Sequence, residues 1–152
     1  MKTTPLIKSS VILLIVIFFL ASCSKDEDEI TYDLNGNWKV IYFKEGNTKI
    51  TKTEDNTWLD INDGDNTANF SELDSNGKGT ISGMTVSNGY NGEYTILDNG
   101  KISIGPITTT FINQPEWANL FKISAAENFE VRNSRLVIYY NNGNNSITFE
   151  RN

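Results

Sequence analysis

The chain has no histidine and only one cysteine, Cys23. Without histidine, the usual serine and cysteine triads and most zinc sites are excluded. A lone cysteine cannot close an internal disulfide, so the fold must hold by packing alone. Basic residues are the minority, 13 against 19 acids, for a formal charge of −6. That balance argues against nucleic acid as a partner and against adsorption to anionic lipid. Paired carboxylates, as in glycosidases, are the remaining catalytic option. The candidates Asp60, Asp63, Asp65, Glu72 and Asp74 fall in loop-like or strand-edge stretches, where acids ordinarily face water. No catalytic residue is assigned, no cofactor is implied, and the chain is not expected to be an enzyme.

What the chain does have is one long apolar run. Lys2 and Lys8 precede Val11-Ile12-Leu13-Leu14-Ile15-Val16-Ile17-Phe18-Phe19-Leu20, and Ala21-Ser22-Cys23 follows. The run is short for a membrane span and has the shape of a secretory leader. Leu20-Ala21-Ser22-Cys23 resembles a bacterial lipobox, which implies cleavage before Cys23 and its lipidation. The alternatives are an ordinary signal peptide with a free thiol, or a signal anchor. Two or more acyl chains would tether the protein stably to a membrane. Ser24-Lys25-Asp26-Glu27-Asp28-Glu29 is a charged tether with nothing to bury. Ser24 is not the Asp associated with inner-membrane retention, so the resemblance implies an outer-membrane lipoprotein, periplasmic or surface-facing. The acidic run also resembles the export signal of Bacteroidetes surface lipoproteins, although a plain spacer has the same composition. The organisation is therefore a leader at 1–22, a lipidated Cys23 with its tether at 23–29, and one domain at 30–152. That domain of about 120 residues can bury a core unaided.

From Ile30 the sequence reads as short strands between Asn/Gly/Asp turns. Residues 36–43 carry Trp38, Val40 and Tyr42 in an imperfect alternation. Residues 48–53 and 57–61 are further strand candidates, and 62–66 is a loop by composition. Residues 67–73 pair with 80–86 across a glycine-rich turn, and 92–97 pair with 101–104 across Asp98-Asn99-Gly100. Residues 136–140 and 146–151 close the chain. One helix interrupts the strands near 115–127. Pro115 suits its first position, Glu116 complements its amino-terminal dipole, and Trp117, Leu120, Phe121 and Ser124 form a stripe. The fold class is mainly β, an antiparallel curved sheet or small barrel with one helix against an opening.

Two stretches could bind something. Asp74, Asn76, Gly79 and Ile81 match some loop positions of an EF-hand, but Lys78 and Thr85 stand where oxygen ligands belong. A glycine-rich hairpin turn explains the same residues, and no metal is assigned. The aromatics are numerous. Trp58, Tyr90 and Trp117 are the candidate ligand-binding residues for an apolar ligand or a stacked sugar at a barrel mouth. The other reading is that they fill the core.

The order of motifs resembles a known family. Leu34, Gly36 and Trp38 open the domain. Phe70, Asp74, Gly77, Ile81 and Gly83 follow, then the 92–110 hairpin, the segment with Glu116, Leu120 and Phe121, and the ending Ile147-Thr148-Phe149-Glu150-Arg151. This is similar to the META domain (HslJ-like) family across most of 34–152. Ser87 before Asn88, and Phe111 and Gln114, replace the cysteines and basic residue that members often carry. The resemblance implies a small β-barrel without a defined catalytic activity, in envelope lipoproteins linked to stress tolerance. The expected function is a non-catalytic binding or envelope-homeostasis module with a protein or envelope component as partner. The Gly-x-Trp opening also resembles lipocalin-like lipoproteins, which implies the alternative of a carrier for a small apolar or glycan ligand.

Overall fold

A computed structural model describes residues 30–98 and 100–152. The leader at 1–22, Cys23 and the tether to Glu29 lie outside the described residues, as does Asn99. The elements are β1 (Ile30–Thr31), β2 (Gly36–Glu45), β3 (Thr48–Thr51), β4 (Thr67–Phe70), β5 (Lys78–Thr85), β6 (Asn88–Asp98), β7 (Lys101–Ile104), β8 (Thr108–Thr109), α1 (Glu116–Asn119), β9 (Asn128–Arg132), β10 (Arg135–Tyr140) and β11 (Asn145–Arg151). Eight strands close on themselves in chain order, β2-β4-β5-β6-β7-β9-β10-β11 and back to β2, every neighbour antiparallel. This is an up-and-down barrel. β1, β3 and β8 add to β9, β2 and β6 outside that circuit.

The circuit is not uniformly tight. β11 and β2 pair from Asn145↔Glu45 to Arg151↔Trp38. β7 and β9 meet at the single pair Lys101↔Asn128. Two bonds flank that pair, Ile102 N–H to Glu127 O at 3.1 Å and Phe129 N–H to Gly100 O at 2.8 Å. Beyond them the seam parts. The turns β4–β5, β6–β7 and β9–β10 and both ends of the described chain lie at one end of the barrel, while the turns β2–β3, β5–β6 and β10–β11 lie at the other. The long connections, 52–66 and 105–127, also lie at that other end.

The imperfect alternation of β2 has a local cause. Trp38 and Val40 point inward, and so does Phe43, which breaks the period of two. The register against β11 slips between Thr148 and Phe149, so a bulge inserts Ile41 and restores Phe43 to the core. On β10 the alternation is clean. Tyr140 is buried, while Tyr139 faces outward and donates to Glu130 Oε1 at 2.9 Å. Burial and that carboxylate push the Tyr139 phenol up to about 12.

β5 and β6 pack by a different rule. Their facing pairs Gly79↔Tyr94, Ile81↔Gly92 and Gly83↔Tyr90 each contain one glycine. A Cβ on Gly79 would meet the Tyr94 ring, and one on Gly83 would meet Thr67 O and the Tyr90 hydroxyl. The glycines let each tyrosine lie across β5 and reach β4. Tyr90 donates to Thr67 O at 2.8 Å, and Tyr94 donates to Ser71 O at 2.7 Å. These braces matter because β4 and β5 share only the pairs Asn69↔Ser82 and Phe70↔Ile81.

The barrel interior is a single aromatic-rich cluster. Trp38, Phe43, Trp117, Ile81, Leu136, Ile138, Ile147 and Phe149 are all wholly buried in it. Trp38 donates its indole N–H to Leu34 O at 2.8 Å, and Arg151 lies over its ring.

Three sequence expectations need correction. Residues 57–61 form turns and not a strand, because Thr57 is buried and its hydroxyl donates to Gly64 O at 3.3 Å, folding the segment back over the barrel end. β3 stops at Thr51, two residues short of 48–53. The helix expected near 115–127 is the single turn α1, followed by a separate 3-10 turn, Ile123–Ala125. The buried residues of these two turns are Trp117, Ala118 and Ile123. Positions 117 and 123 lie on different faces of a continuous α-helix. Two short turns joined through Lys122, at φ −97 and ψ 45, bring both into the core.

The glycine-rich turn before β5 is occupied by its own backbone. Asp74 Oδ1 accepts the N–H groups of Asn76 at 2.8 Å and Lys78 at 2.9 Å. Those bonds hold its carboxyl below the ordinary range. A depressed folded pKa stabilises the fold above the unfolded value of about 3.9 and loses that contribution as pH falls through the folded value. The stability gap between the native chain and Asp74→Ala is therefore expected to be constant near neutrality and to close below about pH 4. Thermal melts across pH measure it, and a gap that does not change with pH would refute the assignment.

Candidate functional site

Where the seam parts, the barrel end carries a groove of about 500 Å³. One wall is the strand β8 and the rim that follows it, Thr110 to Gln114. The other is the segment carrying Asn119, Lys122 and Ser124, with Tyr90, Phe121 and Ile123 between them. The Tyr90 and Phe121 rings are 5.5 Å apart, and Phe121 meets the core ring of Phe149 edge-on at 6.2 Å.

Asn88, which is 5% exposed, makes the most contacts to the rim, and Ser87 Oγ adds a bond to Asn113 O at 3.0 Å. Asn88 Oδ1 accepts Ile112 N–H at 2.7 Å and the Thr110 hydroxyl at 3.2 Å. Its Nδ2 donates to Ile112 O at 2.8 Å and Gln114 Oε1 at 3.0 Å. Gln114 then donates to Asn119 Oδ1 at 2.8 Å, tying the two walls together. Asn88 follows the tight turn at Val86, where a buried, β-branched residue sits at φ +48. That conformation is strained for valine. Full burial and the bond from Val86 N–H to Asp65 O hold it, and the turn in turn fixes Asn88.

The brace has a visible result. Phe111 is 100% exposed and Ile112 is 59% exposed, on a rim whose backbone is held in place. Lys122 is the only charged side chain among the described residues lining the groove.

The three sequence candidates part company here. Tyr90 lines the groove, its hydroxyl committed to Thr67 O. Burial raises its phenol far above the ordinary value, so it stays a neutral donor. Trp117 is wholly buried against Phe43, their ring centres 4.6 Å apart. Trp58 packs partly buried against the core from the 52–66 connection. Asn88, Phe111, Phe121 and Lys122 were missed by the sequence reading. The usable signal was Phe111-Ile112, an apolar pair that continues no strand or helix period.

The acidic candidates have structural partners or lie apart. Asp65 pairs with Lys52, which also donates to Asp63 O at 2.7 Å. Among the described residues no group of three or more metal-ligating side chains comes together. No known protein family, curated protein or solved structure matches this chain.

Proposed function

We propose that this chain is a lipid-anchored, non-catalytic binding module that engages an envelope component through the groove at its barrel end. The observation that carries the reading is the braced rim: Asn88 holds Phe111 and Ile112 out in water beside a groove with no acid in its lining. A nucleophile–base pair is not among those lining residues, and the groove offers contact surface. The anchor reading rests on the lipobox resemblance of Leu20-Ala21-Ser22-Cys23, and the outer-membrane reading on Ser24 standing where the Asp of inner-membrane retention would be. The described chain enters at β1, at the barrel end opposite the groove. The META-like motif order fits a module of this kind.

A second reading, a lipocalin-like carrier, is favoured by the eight-stranded up-and-down circuit. The barrel axis is filled by Trp38, Phe43 and Phe149, so cargo would lie in the seam groove.

A photo-crosslinking residue at position 111, with a control at the exposed outer position Thr80, tests the module in intact cells. A discrete adduct from 111 alone is expected, and Cys23→Ala is expected to leave the membrane fraction and lose that adduct. Equal labelling from both positions would refute the groove, and an undiminished membrane fraction for Cys23→Ala would refute the anchor.

A further inference from the structure

We infer that the seam groove is a saccharide site, with Phe111 as the stacking platform and Lys122 placed for an acidic substituent. This rests on the binding-module reading and names its ligand class. The groove is bounded by hydroxyls, amides and one ammonium, interleaved with apolar surface from Tyr90, Ile112 and Phe121. A saccharide has the matching composition, with apolar C–H faces and a rim of hydroxyls. Its C–H face lies on an aromatic ring, and its hydroxyls take up side-chain amides.

The polar groups divide into those that build the groove and those left over for a ligand. Asn88, Gln114, Thr85 and Thr110 are spent on one another. The Asn113 side-chain amide, the Asn119 Nδ2, the Ser124 hydroxyl and the Lys122 ammonium line the groove without donating to another described side chain or backbone group. Three of these four are neutral, which suits hydroxyl and acetamido groups. Lys122 sits in a chain whose formal charge is −6, and no lining acid neutralises it. A carboxylate-bearing sugar would meet it.

An extended acyl chain fits less well. Apolar carriers enclose most of their ligand in an apolar cavity. Here the enclosed space is filled, and an acyl chain in the groove would strip water from the amides and the ammonium without replacing its hydrogen bonds. The rigidity of the rim also favours a small ligand, because the ordering cost is already met by Asn88.

The test is calorimetric titration of the full chain in detergent with short oligomers of N-acetylglucosamine, glucose and galacturonic acid. Saturable binding of at least one series is expected. Phe111→Ala should weaken it about tenfold, as loss of a central aromatic contact does. Lys122→Ala should weaken the galacturonic series more than the glucose series. Both side chains are exposed, so thermal melts should show both variants folded. Absence of saturable binding across all three series would overturn the assignment. So would saccharide binding that both variants leave unchanged. An apolar extended peptide that binds in a Phe111-dependent way while the sugars stay silent would replace it. If position 111 crosslinks in cells and no sugar binds, the saccharide class falls and the module stands. If neither occurs, both fall.

Discussion

Trp117→Ala is expected to destabilise the fold by about 3–5 kcal/mol, the range for truncating a large buried aromatic. Trp117 is wholly buried, meets Phe43 edge-on, and is the residue by which α1 plugs the barrel end. Its backbone also joins two distant elements. Its N–H donates to Asn56 O at 2.9 Å, and its carbonyl accepts Asn66 Nδ2 at 3.2 Å. Those bonds use backbone atoms and survive truncation, so the loss comes from the cavity and the ring contacts. Urea unfolding of the barrel should show a lower midpoint with little change in slope. The groove should loosen with the plug, because Ala118 and Phe121 lie on the same segment. A loss below about 1 kcal/mol would mean that the plug is not part of the core.

Gly83→Ala is the second large effect. Overpacking a fitted site costs about 1–3 kcal/mol, and displacing a buried hydrogen bond adds about 1. At Gly83 a methyl meets both Thr67 O and the Tyr90 hydroxyl, the two partners of one hydrogen bond. The expected total is about 2–4 kcal/mol. Tyr90→Phe removes the hydroxyl but leaves the carbonyl in place, so the double variant should recover only part of the loss. Full recovery in the double variant would show that the tyrosine alone sets the limit. The same substitution at Gly143, where nothing lies within 4 Å of the added carbon, should show no steric component, although its φ of +77 still disfavours alanine.

These glycines show what the sequence could and could not display. The hairpins around Asp98 and Gly100, and between β10 and β11, were legible because turn residues and alternation agree there. Gly79 read as part of the turn, and Gly83 lay inside the expected strand 80–86 with no stated reason for a glycine there. Their cause is a tyrosine on the neighbouring strand, a relation visible only once the register is known. β9 was missed although Phe129 and Val131 alternate with Glu130 and Arg132, because the helical stripe before it seemed to run on to Asn128. The 57–61 segment has strand-like composition, but Thr57 is captured by Gly64, a contact no local pattern encodes. Of the site, Tyr90 was legible as a candidate from its residue type alone. The groove itself arises where β7 and β9 diverge, and neither strand's sequence announces that divergence.

The circuit order carries a kinetic consequence. β2 is made early and its full-length partner β11 is the last strand, so Trp38 waits for Arg151 across nearly the whole domain. Contacts this distant in the chain must overcome loop-closure entropy before they contribute, and folding dominated by them is slow. Until Asn145–Arg151 is available, β2 and β10 each present an uncovered edge, the kind of surface that pairs with other chains. A nascent or truncated chain lacking its last strand is therefore an aggregation hazard out of proportion to the seven residues it has lost. The strand Asn145–Arg151 acts as a completion signal: the circuit closes only once it has paired with both β2 and β10.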